Sequence, residues 1–298
     1  MTQADVDAPE MIGRYRVEEL LGTGGTATVH RVHDTRLGRD AALKRVRPGP
    51  GRAQHRLRLR DEGRLLAELD HPGLVTILDA AWEGPSAPYV VLELVDGPDL
   101  SERLREGALD DVRVATIGRD LASVLAHLHD HGLVHRDVKP ANVLLDGDRA
   151  RLCDLGIALR VGEGDPHGRP GHTTGSIAYL APEQVLCEQL TSAVDVYALG
   201  LLLLEALTGR REYPGPDSEA AWARVHRNPT IPTSLGSAWT GLLAAMTARD
   251  PAERPAAREV AEHLEALLAV EGLGPVPDVP LPRHRAEPAA QELAVTVA

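Results

Sequence analysis

The chain has 298 residues, of which 43% are apolar and 26% charged, an ordinary composition for a soluble protein large enough for one big domain or two lobes. Its net charge of −12 gives no support to nucleic-acid binding, which needs a basic face. Phe is absent and aromatics total only 3%, so the core must be built mainly from Leu, Val, Ala and Ile. The two cysteines, Cys153 and Cys187, are too few for a disulfide framework and have no metal-ligand spacing, which points to a reducing cytoplasm.

Met1 to Glu10 carries three acidic residues and no basic one, unlike a signal peptide. Tyr15-Arg16-Val17 begins a strand, and Leu20-Leu21 leads into a glycine cluster. Val29 to Val32 and Ala41 to Val46 are further strands. Residues 53–69 place Leu57, Leu65, Leu66 and Leu69 among charges in a helical pattern, and Leu74 to Leu78 and Tyr89 to Val95 are β-type runs. Beyond residue 97 the pattern turns helical. Residues 111–131 align Val114, Ile117, Leu121, Val124, Leu125 and Leu128 on one face, with Asp110 or Asp111 as the cap. Val143 to Leu145 and Ala150 to Leu152 flank Gly147 as a hairpin. Residues 160–176 read as a long loop, and helices are expected near 192–208, 217–227, 236–247 and 256–270. The apolar run Val196 to Leu204 is broken by Glu205 and is too short to span a bilayer, so it reads as a buried helix. From Gly272 the chain is Pro-rich and is expected to be disordered.

Four segments carry chemistry. Gly22-Thr23-Gly24-Gly25-Thr26-Ala27-Thr28-Val29 lies between two strands, where glycines let backbone N–H groups approach phosphate oxygens. A plain glycine-rich hairpin turn is the equal alternative, and the lack of a following helix argues against a dinucleotide fingerprint. Lys44 ends an apolar strand, where a charge is expensive unless paired, and Glu62 in the next helix is the candidate partner. In Val134-His135-Arg136-Asp137-Val138-Lys139-Pro140-Ala141-Asn142-Val143, several polar groups sit between apolar runs and must satisfy one another or a ligand. Asp154-Leu155-Gly156 follows the second hairpin strand. Asn142 and Asp154 are oxygen donors of the kind Mg²⁺ prefers.

Together and in this order, these motifs resemble the signature set of Ser/Thr protein kinases, closest to the bacterial eukaryotic-like ones of actinobacterial type. The resemblance covers roughly residues 14–270 and extends to Ala181-Pro182-Glu183, Asp195 and Arg254. It implies an α+β, bilobal protein kinase fold with a β-rich N-lobe (about 14–95) and a helical C-lobe (about 96–270). Residues 1–13 would be an extension and 271–298 a tail.

The implied function is transfer of the ATP γ-phosphate to protein Ser/Thr hydroxyls, with autophosphorylation of the activation loop. The alternatives are a pseudokinase or ATP-binding scaffold that has lost transfer, and a small-molecule phosphotransferase of similar fold. By resemblance, Asp137 accepts or orients the substrate proton, and Lys139 steadies the γ-phosphate. Lys44 contacts the α/β-phosphates and pairs with Glu62, and Asn142 and Asp154 hold Mg²⁺, with Mn²⁺ as a substitute. Leu21, Gly22, Gly24, Gly25, Val29, Ala42, Glu93, Val95 and Leu144 line the ATP site, the Glu93–Val95 backbone meeting adenine with Leu92 as gatekeeper. Arg136 would bind a phosphate on the activation loop, for which Thr173 and Thr174 are the candidate acceptors. Ser176 is expected to be structural, Glu183 and Arg254 to form a buried pair, and Asp195 to brace the catalytic loop. The expected partners are protein substrates and a second copy for trans-autophosphorylation, with no nucleic acid and no membrane span. Leu155 stands where the family usually has Phe, and Ala27 where it has the third glycine.

Overall fold

A computed structural model describes residues 10–49, 51–84, 88–155, 159–160 and 176–270. The N-terminal part is an antiparallel sheet of β1 (Met11–Ile12), β2 (Tyr15–Thr23), β3 (Ala27–Asp34), β4 (Arg39–Val46), β5 (Ile77–Ala81) and β6 (Tyr89–Leu92), in the order β1-β2-β3-β4-β6-β5. Helix α1 (Arg52–Glu68) crosses between β4 and β5. Alternation along β3 and β4 splits the sheet into two faces. Ile12, Tyr15, Val32, Ala41, Leu43 and Val91 form a small core on one face. On the other, Ala42, Val46 and Val90 meet Leu59 and Leu66 of α1 and join the main core.

The C-terminal part packs α2 (Leu100–Leu104), α3 (Asp111–Asp130), α4 (Pro182–Val185), α5 (Ala193–Thr208), α6 (Asp217–His226), α7 (Gly236–Met246) and α8 (Ala257–Val270). Strand β7 (Leu133–Val134) pairs with β10 (Leu159–Arg160), and β8 (Val143–Asp146) with β9 (Arg149–Leu152). Asp110 caps α3 by accepting from the Arg113 N–H at 2.9 Å. The apolar run Val196 to Leu204 lies wholly buried in α5, as its composition predicts. Close packing of α3, α5 and α8 depends on Gly118, where a Cβ would lie 2.8 Å from Leu264 and 3.0 Å from Leu203.

Several boundaries differ from the sequence reading. Met11 and Ile12, placed in the N-terminal extension, form a sheet strand because Ile12 is buried against Tyr15 in the small core. The β-run expected at Leu74–Leu78 begins at Ile77; Leu74 is instead bridged to Leu152. The run Tyr89–Val95 leaves the sheet after Leu92. The 271–298 tail and most of the 160–176 loop lie outside the described residues. Among the described residues, no helix is long and apolar enough to cross a membrane.

The linker after β6 is pressed onto the C-terminal part at one point. A Cβ at Gly97 would lie 1.8 Å from the Leu145 carbonyl oxygen, so no other residue fits there without moving backbone. Leu145 N–H donates to Pro98 O at 3.0 Å beside it.

Candidate active site

The glycine segment forms the β2–β3 hairpin. Both strands run further into it than the sequence suggests, leaving Gly24, Gly25 and Thr26 as the turn, closed by Gly24 N–H to Ala27 O at 2.9 Å. Register pairs Gly22 with Val29, and Val29 with Lys44 on the next strand, so the turn overhangs the end of β4. Val29, Ala42, Val95 and Leu144 belong to the main apolar cluster, and Leu21 stands exposed at the rim.

Lys44 reaches from β4 to α1. Its Nζ donates to Glu62 Oε1 at 2.7 Å and Oε2 at 2.9 Å and lies 3.1 Å from Asp154 Oδ1. Burial works against the ammonium charge, but Asp154 and Glu62 together outweigh it and hold the Lys44 pKa above its usual value. Burial pushes the Glu62 carboxyl up to about 7; Lys44 pulls it down and Asp154 adds to the rise.

The catalytic-loop candidates converge on Asp137. Lys139 Nζ lies 2.6 Å from Asp137 Oδ2, and Asn142 Nδ2 donates to the Asp137 backbone O at 2.9 Å and to Oδ2 at 3.2 Å. Asp137 N–H is 3.2 Å from His135 Nδ1. The loop is held from below by Asp195 in the first turn of α5. This fully buried carboxylate accepts from His135 N–H at 2.8 Å and Arg136 N–H at 2.7 Å, and His129 Nε2 lies 2.9 Å from it. Burial opposes the charge on Asp195, yet His129 and the loop amides keep its carboxyl below the usual range. These bonds offset the cost of Arg136, a non-glycine residue at φ 66°.

The β8–β9 hairpin brings Asn142 and Asp154 to one end. Val143 pairs with Leu152, and the next step is Cys153 N–H to Asn142 O at 2.9 Å. Asp154 then turns out of the strand at φ 66°, with its side chain 45% exposed, while Leu155 is buried where the family has Phe. Because the amide nitrogen of Asn142 is turned to Asp137, its Oδ1 is the atom left for a cation. With the Asp154 carboxylate this makes a hard oxygen donor set that fits a divalent ion such as Mg²⁺. Burial pushes the Cys153 thiol up to about 12, and Asp154 adds to this, which makes it a poor nucleophile.

Glu183 and Arg254 form the expected pair, with Nη1–Oε1 at 2.6 Å and Nη2–Oε2 at 2.9 Å, both side chains buried. Arg254 also donates to Ala193 O and Ala248 O and lies over the Tyr197 ring, 4.8 Å from its centroid. The pair locks Ala181-Pro182-Glu183 onto the helical base, and Gln184 links it to the catalytic loop by donating to Arg136 O at 3.3 Å. Ser176 opens a 3-10 turn to Tyr179. Thr173, Thr174 and Gly156 lie outside the described residues, as does the Ser176 side chain.

Sequence reasoning missed three contributors. His129, at the end of α3, belongs to no motif, yet it supports Asp195. Gln184 had no motif. Arg151 ties Glu93 to β9 with its Nη1 3.0 Å from Glu93 Oε2, and also donates to Leu74 O at 2.9 Å. Burial would raise the Glu93 carboxyl, but the Thr76 amide and Arg151 hold it low. The signal for Arg151 was its alternation with buried Ala150 and Leu152 on a hairpin strand.

Comparison with known proteins agrees with this arrangement. The family model for the protein kinase domain matches residues 15–264. Serine/threonine-protein kinase PknB of Mycolicibacterium smegmatis is 35% identical over 276 residues, which cover 90% of this chain and 44% of that protein. A probable serine/threonine-protein kinase of Streptomyces coelicolor is 35% identical over 88% of this chain and 41% of its own length. Serine/threonine-protein kinase PknL of Mycobacterium tuberculosis is 36% identical over 96% of this chain and 73% of its own length. The chain thus spans less than half the length of the first two. With a sheet domain and a helical domain joined at a cleft that gathers Lys44, Glu62, Asp137, Asn142 and Asp154, the chain belongs to the protein kinase family.

Proposed function

We propose that the chain is an active Ser/Thr protein kinase that transfers the γ-phosphate of ATP to Ser or Thr hydroxyls of proteins. The observation that carries this reading is Lys44, held at once by Glu62 from α1 and by Asp154 from the end of β9. This buried Lys–Glu–Asp set, with Asp137 and Asn142 on the facing loop, supplies the residue types that phosphoryl transfer uses. Charge in that reaction develops on the phosphoryl oxygens, so catalysis is chiefly placement and neutralisation.

Lys44 binds the α/β-phosphates, and the Gly24-Gly25 turn lies over them. Asp137 orients the substrate hydroxyl and takes its proton as the oxygen bonds to the γ-phosphorus and the bond to the β-phosphate oxygen breaks. Lys139, already 2.6 Å from Asp137, steadies the γ-phosphate. The carbonyl of Glu93 and the backbone of Val95 receive adenine. Asn142 and Asp154 would hold Mg²⁺, which when bound supplies positive charge across the phosphate oxygens; Mn²⁺ suits the same donors. Thr173 and Thr174 are the proposed acceptors of autophosphorylation between two copies, with Arg136 as the group that receives the phosphate. The cytoplasm is the proposed location.

Incubation with γ-labelled ATP and Mg²⁺, followed by peptide mapping, tests the reading. Labelled Ser or Thr is expected, and Asp137→Asn should slow labelling by about 10²–10⁴-fold, the range for a positioned proton acceptor. Equal labelling of the variant and the parent removes Asp137 from the chemistry and with it the reading.

A further inference from the structure

In a chain of net charge −12, the sixteen residues 45–60 contain Arg45, Arg47, Arg52, Arg56, Arg58 and Arg60 and no Asp or Glu. Four of these lie on α1, and Arg64 follows. Arg52, Arg56, Arg60 and Arg64 are spaced four apart, which sets successive members about 6 Å apart on a strip that winds round the helix by about 40° per step. Arg52, Arg60 and Arg64 are exposed and Arg56 is half-buried, and Leu57 is 53% exposed beside them. Among the described residues, none of these four guanidinium groups has a hydrogen bond or ion pair, whereas Arg14, Arg16, Arg31 and Arg45 on the neighbouring sheet all have carboxylate partners.

The helix is also built against its own electrostatics. Its first turn holds Arg52 and His55 with no acidic residue, where the macrodipole favours anions. Its N-cap is Gly51 at φ 74°, with no side-chain cap. Like charges four residues apart repel. An anion laid along the strip would relieve all of this at once. The helix carries Glu62 on its buried face, so whatever steadies α1 steadies the contact with Lys44.

We propose that the arginine strip Arg52-Arg56-Arg60-Arg64 docks an extended acidic segment of a protein partner, and that docking raises kinase activity by stabilising α1 and the Lys44–Glu62 pair. Extended chain rises about 3.4 Å per residue, so carboxylates on alternate residues of the partner recur every ~7 Å, close to the step of the arginines. Neutral chain surface and basic segments have no matching charge. The activation half of this inference rests on the kinase reading above; the docking half does not.

The test uses full-length chain carrying Asp137→Asn, which removes self-phosphorylation, and a fluorescent acetylated decaglutamate peptide, with decalysine and phosphatidylserine vesicles as parallel probes. Decaglutamate should bind, and the triple variant Arg56→Gln, Arg60→Gln, Arg64→Gln should weaken binding at least tenfold. Gln keeps helix propensity close to that of Arg, and removal of like charges should leave the melting temperature unchanged or higher. On the otherwise wild-type chain, decaglutamate should raise phosphorylation of a neutral peptide several-fold, and the triple variant should not respond. Equal binding by parent and triple variant overturns the strip, as does binding to vesicles without binding to the peptide. Binding without a rise in activity overturns the coupling. A wild-type chain that labels nothing under any condition sinks the kinase reading and leaves the docking result standing.

Discussion

Lys44 carries its charge where it is 12% exposed, and its two carboxylate partners respond to that burial in different ways. Asp154 is 45% exposed and keeps access to water, whereas Glu62 is shut in and its carboxyl rises to about 7. A carboxyl whose folded-state value exceeds that of the unfolded chain costs folding free energy when it ionises. The stability linked to its proton is fully present below about pH 4.5 and is lost as the pH passes 7. Function runs the other way, because only ionised Glu62 holds Lys44 by charge. kcat/KM for ATP should therefore climb between pH 6 and 8 with a step near 7, and Glu62→Gln should be slow throughout and lack that step. A parent profile without the step would mean that Glu62 is ionised across the range. At the same scale, Asp195→Ala orphans two buried loop amides and should cost about 3 kcal/mol, at 1–3 kcal/mol for each buried group left unsatisfied. In a domain of this size that is a fall in melting temperature of roughly 6–12 °C. Retention of the wild-type melting curve would show that water replaces the carboxylate. Lys44, Asp137 and Asn142 were legible in the sequence because a polar residue among apolar neighbours must have a partner. His129 was not, because its partner Asp195 is 66 residues away.

At the scale of elements, apolar periodicity located α3, α5 and α8 to within a residue or two, since one buried face dictates where each begins and ends. It failed for β1 and α2, which are two and five residues long, too short for any period to show, and which exist because Ile12 and Leu100 are buried by other parts of the chain. α1 was legible as a helix but not its energetics. Three like-charged pairs four residues apart cost about 0.2–0.5 kcal/mol each, and packing of Leu59 and Leu66 has to offset this. Between α4 and the turn that precedes α8, the Glu183–Arg254 pair shows how a buried ion pair constrains an element. Arg254→Met strands a buried carboxylate and should cost about 3–5 kcal/mol, read by chemical denaturation, whereas the double change Glu183→Gln, Arg254→Met should recover part of that loss. A single variant as stable as the parent would place no weight on the pair.

The whole molecule is two bodies that share one apolar cluster. Ala42, Val90 and Leu92 from the sheet, and Leu74 and Val75 from the segment after α1, meet Leu128, Val143 and Leu152 of the helical part without a break. Val75 N–H to Leu152 O at 3.3 Å and Leu152 N–H to Gly73 O at 2.7 Å stitch the same seam with backbone bonds. At Gly73 a Cβ would fall 2.4 Å from the Val124 Cγ2 methyl, so the seam closes here because position 73 has no side chain. The bilobal outline was visible as a change from period two to period 3.6 near residue 97, but the seam was not, because it joins residues far apart in the chain. Gly97→Ala should push the linker off Leu145, and the expected result is a loss of several °C in melting temperature together with weaker ATP binding. Normal ATP affinity in that variant would separate the linker contact from the nucleotide site.

The contact at Gly97 also bears on how the two bodies could turn against each other. With the linker pinned to Leu145 there, and Asp96 3.6 Å from Arg31 of β3, a rotation of the sheet body about residues 96–97 would leave both contacts in place. Points near the axis hardly move, and points far from it sweep the widest arc. The turn at Gly24-Gly25 lies beyond Ala27, four residues and roughly 13 Å of strand along β3 from Arg31. A ligand that grips only the linker would meet nearly the same surface in the open and closed forms and would not choose between them. One that spans from the linker to the turn is a caliper, and its affinity reports how far the cleft is shut.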